Sequence, residues 1–452
     1  MNKSIYILEF KLFFRNSATW MGIILLILMG FAGLYFGKTF IEKQEQVITK
    51  AASLQKQQTK QNIAHFGNDI GLFFYHNKFS LANTPGAWAA FANGQRDVNP
   101  YLISVTMLGL EGQLYDTDLS NPLSLLLGKM DLSFVFIFLF PLVIIAFSYN
   151  LLSEQRESDI WSLLKAQTDN AFAIIRRKFL VRMIAIFLLA LLLMLVAGFY
   201  LQLPFDGTFA AILVLIMLYL AFWFSISFVI ISVNKSSSFN ASALIAVWVL
   251  LCIVVPASLN LLLTKKYPVP EALQNVINQR EGYHEKWDMD KSVTMTLFFK
   301  HYPQLKKYPF PEEKTFSWYW YYGMQQMGDD AAVGSRLLIE KKLASRQYFT
   351  ETTALFFPSI QLQLGVNELA GTDLDSHLNF QQAVRKYHEA VRLHFYPAIF
   401  TNDELKNTDI KNYKLEKYFP KNVPVIWINL LSITTLTVIL AGVGYFSFRK
   451  RI

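Results

Sequence analysis

The chain carries one cysteine, Cys252, in 452 residues. No intrachain disulfide can form, so any large domain in an oxidising compartment must be held by packing alone. Charge is scarce as well: 17% of residues are Asp, Glu, Lys or Arg, against about 25% in ordinary soluble domains. Within the long apolar runs the only ionisable residue is Arg182, at an edge. Ion-coupled pumps place such groups along their pathway, so the pattern favours an energy source outside this chain. No H-E-x-x-H or Cys–His cluster occurs, and the seven histidines (His65, His76, His284, His301, His377, His388, His394) all fall outside the apolar runs. His388 and His394 would stand about 120° apart on a helix. Neither a metal site nor a catalytic site is expected.

What is abundant is apolar: 53% of residues are hydrophobic and 39 are Phe. They are gathered into runs long enough to cross a bilayer, which reads as an integral membrane protein. The net charge of +9 is not a nucleic-acid signature, because its tight clusters, Arg176–Lys178 and Arg449–Arg451, end apolar runs where anionic lipid explains them. The expected fold is all-α, with six transmembrane helices and two mainly helical extracytoplasmic domains.

In order, residues 1–17 read as an interfacial amphipathic helix and 18–37 as the first span; no cleavable signal peptide is expected. Residues 38–131 form the first extracytoplasmic domain, opening with a Gly- and Pro-free helix over Glu42–His65 that needs a partner surface. The second span, 132–152, holds Pro141, which is expected to kink it. A charged segment, 153–180, follows. Spans three to five occupy 181–263, with Pro256 as a second kink. Residues 264–423 form the second extracytoplasmic domain, 424–448 the sixth span and 449–452 the tail. In the second domain Ser376–Tyr396 reads as a helix with Phe380, Val384, Tyr387, Val391 and Phe395 on one face. The aromatic run Phe316–Met324 reads as a binding platform, an interface belt or core. Ala32–Thr39 (AGLYFGKT) fits a relaxed phosphate-loop pattern, but it lies in a membrane helix without the required strand, so nucleotide binding there is rejected.

Basic residues in short loops set orientation. The start, the charged segment, the Lys235 loop and the tail carry Lys or Arg; Gln202–Thr208 carries none. Both termini are thus expected in the cytoplasm. The segment Leu151–Lys178 joins two apolar runs yet mixes acids and bases with Ile160, Trp161, Leu163 and Leu164. A mere connector would not need that apolar patch, so it reads as a docking segment for a soluble partner.

Several stretches carry a family resemblance: PGAWAAFANGQRDVNP (Pro85–Pro100), YDTDLSNPLSLLLGKMDLSFVF (Tyr115–Phe136), FPLVIIAFSYNLLSEQRESDIWSLLKAQ (Phe140–Gln167) and NELAGTDLDSHLNFQQAVRKYHEAVRLHFYP (Asn367–Pro397). The chain resembles ABC-2 type transporter permeases. Within them it resembles the group with two large extracytoplasmic insertions that includes the permease of the nitrous oxide reductase copper-maturation transporter. Ser158, Asp159 and Thr168 stand where that group carries other residues. The resemblance implies a permease subunit in a bacterial inner membrane, dimeric with itself or a related permease. ATP and Mg would be bound by a separate cytoplasmic ABC ATPase, with no cofactor on this chain. The ATPase-coupling residues would be Glu154, Arg156, Glu157, Asp159, Ile160, Trp161, Leu163 and Leu164. The extracytoplasmic segments, over half the chain, suggest a periplasmic or lipid-anchored protein partner. The alternatives are an ATP-driven mechanical transmitter that moves no solute, and a membrane-anchored receptor or scaffold without an ATPase.

Overall fold

A computed structural model describes residues 3–114, 130–158, 161, 171–308, 310–311, 316–403, 410, 413–420 and 427–451. Helix α1 spans Lys3–Arg15, as its apolar pattern predicts. Helix α2 then runs unbroken over Ser17–Phe66, about 75 Å at 1.5 Å per residue. Asn16 caps it by accepting from the Ala18 N–H at 2.9 Å. Its buried residues (Leu26, Gly30, Gly33, Gly37, Ile41, Gln44, Ile48 and Gln55 among them) recur at intervals of three, four or seven residues. They make one stripe down the apolar and the polar half alike. The polar half finds its partner surface through Gln44, whose Oε1 accepts from Arg96 Nη2 at 3.0 Å, and Gln55, whose Oε1 accepts from the Ser80 N–H at 3.1 Å. Glycine is required where loops press closest. A Cβ on Gly37 would lie 2.0 Å from the Ala90 carbonyl oxygen, and one on Gly33 2.7 Å from that of Asp131. Ala32–Thr39 lies inside this helix.

Beyond α2 come α3 (Ile70–His76), β1 (Phe79–Asn83), β2 (Leu102–Val105) and α4 (Leu110–Leu114). The second apolar helix starts at Leu132, capped by Asp131, and widens into a π turn over Val135–Leu139 before α5 (Phe140–Ser148). Pro141 has no N–H for the Ile137 carbonyl four residues earlier. The Tyr219 hydroxyl donates to that carbonyl at 2.8 Å, and Trp248 Nε1 donates to the Phe138 carbonyl at 3.1 Å. Both prolines follow π turns: Leu250–Val254 is the other, ahead of Pro256. In hydrocarbon a carbonyl with no donor is costly, so neighbouring side chains are the means of tolerating proline there. Tyr219→Phe is expected to lower stability by about 1–3 kcal/mol, read as a fall in thermal unfolding temperature in detergent; Tyr219→Trp would not restore it, because the hydroxyl position is lost.

The remaining elements are α6 (Ser153–Glu157), α7 (Ala171–Tyr200), α8 (Gly207–Ser232), α9 (Ser237–Val249), α10 (Val255–Lys266), α11 (Glu271–His284), α12 (Lys291–His301), α13 (Trp318–Ala354), α14 (Pro358–Ala370), α15 (Leu374–Thr401), β3 (Glu416–Tyr418) and α16 (Trp427–Arg451). Among the described residues six helical segments are long and apolar enough to cross a membrane. The fold is predominantly helical, that of a membrane protein. The helix ends sort onto two sides. On one, Lys38 Nζ sits 4.4 Å from the Tyr200 ring centroid, and Trp88 packs on Phe209. On the other, Leu152, Ile175, Ile231 and Phe448 share a cluster.

The two segments read from sequence as separate domains pack as one body, and this corrects the expected division. β1 pairs antiparallel with β2 and parallel with β3, so the sheet takes strands from both segments. One aromatic core joins Phe73, Phe74 and Phe79 to Phe298, Tyr302, Tyr322, Phe395 and Tyr396. The run Tyr319–Tyr322 is buried there, which selects core among its three readings. Phe380, Val384, Val391 and Phe395 are buried along α15, as their spacing predicts. α14 departs from the expected partition. Leu362, Val366 and Ala370 join the core of the membrane helices, and Ser359 Oγ donates to the Leu251 carbonyl at 2.7 Å within the second π turn.

Candidate functional site: the charged junction and the outer latch

The charged junction is built where four helix ends meet. Leu151, Leu152, Trp161, Ile175, Ile231 and Phe448 form its apolar floor. The short α6 stands on this floor and is tied to the loop ahead of α9. Glu157 accepts from the Ser237 N–H and from Ser237 Oγ, each at 2.8 Å. The acid thus neutralises the N-terminal end of a 13-residue helix, where unpaired N–H groups favour negative charge. Arg156 Nη1 donates to the Asn234 carbonyl at 3.1 Å and to the Asn234 side chain. Asn234 can present both oxygens together because it takes a left-handed conformation, φ +67°. Glu154 accepts from Asn150 Nδ2 at 2.8 Å. α1 lies alongside, with the Arg182 guanidinium 5.7 Å from the Phe13 ring centroid and that of Arg177 5.9 Å from the Tyr6 ring centroid.

Of the eight residues read as a docking surface, Glu154, Arg156 and Glu157 are exposed and adjoining. Trp161 is not part of a surface stripe: it is 7% exposed and packs into the floor. An apolar ring beside helix ends is buried by them before a partner arrives, which periodicity over a short segment cannot reveal. Asp159, Ile160, Leu163 and Leu164 lie outside the described residues. Sequence reasoning missed Asn234 and Ser237 as partners. The available signal was the Ser236–Ser237 pair opening an apolar run, a helix-cap pattern.

A second constellation, unread in the sequence, lies in the body that carries the sheet and the aromatic core, here called the outer body after the side it is expected to take. The turn Thr106–Glu111 is held by side chains of α13 and α15 and, from α4, by Gln113, whose Oε1 accepts from the Thr106 N–H and whose Nε2 donates to the Gly109 carbonyl, each at 2.8 Å. Arg392, 1% exposed, donates through Nε to the Met107 carbonyl at 3.2 Å and through Nη2 to the Leu108 carbonyl at 2.7 Å. It also pairs with Asp329 at 3.0 Å and bonds Gln326. Asp329 accepts from the N–H groups of Leu110 at 2.9 Å and Glu111 at 3.1 Å, and Gln325 accepts from that of Gly109 at 2.8 Å. Burial pushes the Asp329 carboxyl up, while the Arg392 charge and the two N–H donors pull it back. Burial first, then the Arg392 charge, drive His388 well below the ordinary imidazole value. Its neutral ring donates to the Thr106 carbonyl, Nε2 to oxygen 2.9 Å. Glu111 closes the array through Arg385 at 2.9 Å, Arg336 at 3.6 Å and Asn275 Nδ2 at 3.2 Å. These groups are paired with one another.

Fold and junction together define a helical membrane protein, several of whose helices are long and apolar enough to cross a bilayer. Residues 273–415 match the family described as a domain of unknown function (DUF3526). The match covers α13, α15 and their side chains on the turn, but neither the turn itself, nor Gln113, nor the membrane helices. No curated protein and no solved structure matches the chain.

Proposed function

We propose that this chain is the membrane-spanning permease subunit of an ABC transporter of the ABC-2 type, paired with a second permease and with two copies of a separate cytoplasmic ATPase. The junction faces the cytoplasm of a bacterial inner membrane, as do both termini, and the outer body is extracytoplasmic. Basic residues in the short loops support that orientation. Glu154, Arg156 and Glu157 contact the ATPase, and ATP and Mg are bound there.

One observation carries the reading. Helix α6 is bonded to the start of α9, and the apolar floor beside it is built from the ends of α7, α8 and α16. A push on α6 is therefore delivered to several membrane helices at once. The unbroken α2 and the seating of α14 among the membrane helices favour work on an extracytoplasmic partner, whether or not solute moves. Composition of the complex after mild detergent extraction tests this. An ATPase that co-purifies in equal number, and is stimulated in proteoliposomes, is the expected result. A chain that comes out without an ATPase overturns it and leaves the receptor or scaffold.

A further inference from the structure

Two of the apolar helices carry the same irregularity. In each, a five-residue π turn is followed by one residue and then a proline: Val135–Leu139 before Phe140 and Pro141, and Leu250–Val254 before Val255 and Pro256. The two turns lie against each other. The Tyr219 hydroxyl that donates to the Ile137 carbonyl in the first is 3.9 Å from Cys252 Sγ in the second, and Trp248, just ahead of the second, donates to the Phe138 carbonyl in the first. They differ in where their donors come from. The first takes its donors from α8 and α9, both apolar helices. The second takes Ser359 Oγ from α14, the helix that links α13 and α15 of the outer body.

The Ser359 bond falls on the carbonyl that the second π turn would otherwise strand. Val255, whose N–H an α-helix would send to Leu251, sends it to Leu250, five residues back. The π-type partner of Leu251 would be Pro256, which has no N–H. Ser359 Oγ donates to the Leu251 carbonyl at 2.7 Å in its place. Without that bond, the way to pair the carbonyl is for Val255 to return to it, which converts the π turn to α. Losing the extra residue of the turn rotates one flank against the other by about 100°. The two flanks are anchored to different parts of the chain. α9 is tied toward the charged junction, through Ser237 to Glu157 and through Asn240 Nδ2 to the Tyr149 carbonyl at 3.1 Å. The residues that end α10 are tied to α13: Arg346 Nε donates to the Tyr267 carbonyl and Lys342 Nζ to the Pro268 carbonyl, each at 2.8 Å.

We propose that the Leu250–Val254 π turn is a hinge between the charged junction and the outer body, and that Ser359 is the positioning residue that holds it in its π form. Withdrawal of α14 releases the Leu251 carbonyl, so the place of the outer body and the register of the helix formed by α9, the turn and α10 are linked. The proposal rests on the permease reading only for what drives the movement; the hinge is a property of this chain alone.

Cys252, the chain's single thiol, is 4% exposed beside Tyr219 and reports the turn without an added label. Conversion to α turns it away from Tyr219, toward the exposed side that carries Ile253 and Val254. The full-length chain in detergent, with no ATPase present, is treated with methyl methanethiosulfonate below the unfolding temperature of each variant, and the modified fraction is followed by intact mass. Ser359→Ala and Ser359→Val each speed modification about tenfold, the consequence of stripping the donor from one buried carbonyl. Ser359→Thr, which matches valine in shape but keeps a hydroxyl, stays near the wild-type rate. Ser432→Ala removes a similar bond away from the turn, from Ser432 Oγ to the Leu355 carbonyl at 2.6 Å, and leaves the rate unchanged. Pro256→Ala supplies an N–H that reaches Leu251, so adding Ser359→Ala to it changes nothing further, a cancellation that general loosening would not produce. An unchanged rate in both Ser359→Ala and Ser359→Val, an equal rise in Ser432→Ala, or an undiminished Ser359→Ala effect beside Pro256→Ala overturns the hinge. Such a failure leaves the permease reading standing, and a chain that purifies without an ATPase leaves the hinge standing.

Discussion

Arg392→Leu lowers the stability of the outer body by about 3–5 kcal/mol, the usual consequence of stripping one partner from a buried ion pair. The physical reason is specific. Arg392 donates to the Met107 and Leu108 carbonyls, and it is the counter-charge of Asp329. Its loss strips a donor from two carbonyls and the counter-charge from a buried carboxylate at once. Tryptophan-monitored unfolding in detergent reads the loss, and limited proteolysis reads its place, with new cleavage between Thr106 and Leu114. Asp329→Leu in the Arg392→Leu background is less harmful than the two single losses added together, because the orphaned charge is gone. A single variant within about 0.5 kcal/mol of wild type, the range of ordinary surface changes, would refute the latch.

The same latch predicts a pH dependence. The folded-state value of His388 is depressed, so its contribution is fully present above the unfolded imidazole value, about 6.5, and is lost as pH falls below it. The slope reaches at most about 1.4 kcal/mol per pH unit for this one proton. His388→Gln, whose amide can donate to the Thr106 carbonyl, flattens that part of the profile.

Reversal of charge at the junction is the second large effect. Glu154→Lys with Glu157→Lys is expected to abolish transport-coupled ATPase stimulation, at least about tenfold or 1.4 kcal/mol, while the chain still inserts. Glu157 holds the start of α9 through two bonds to Ser237, and a lysine there would place positive charge against the positive end of that helix. Glu157→Gln separates the roles. Its carbonyl still accepts from Ser237, so near-normal coupling in that variant means geometry carries the effect, and lost coupling means the charge itself meets the ATPase. Full ATPase retention and stimulation in the double reversal would remove the junction from the coupling path.

Much of this protein was legible locally. The six apolar stretches announce themselves because a membrane-crossing helix satisfies its own backbone and needs no distant partner to be recognised. The amphipathic Lys3–Arg15 and the one-faced pattern of Phe380, Val384, Val391 and Phe395 are readable for a similar reason: helical periodicity is written in adjacent turns. Pro141 and Pro256 likewise marked where helices depart from regularity, though not that the departures are π turns completed by Tyr219 and Trp248 in one case and joined by Ser359 in the other.

The rest is non-local. Leu81 pairs with Glu416, and Arg392 with the turn at Met107, across most of the chain. No window of sequence contains both members, so two insertions that look like separate domains were decided to be one body only by tertiary contact. Trp161 is the same lesson at the junction. It stands in a charged segment, and the residues that cluster with it in space, Leu152, Ile175, Ile231 and Phe448, come from four different helix ends. The sequence by itself determined which stretches enter the membrane and where charge gathers, because bilayer and water sort residues one at a time. Which apolar faces remain exposed for a partner was decided by the tertiary structure, because burial depends on what the rest of the chain brings alongside.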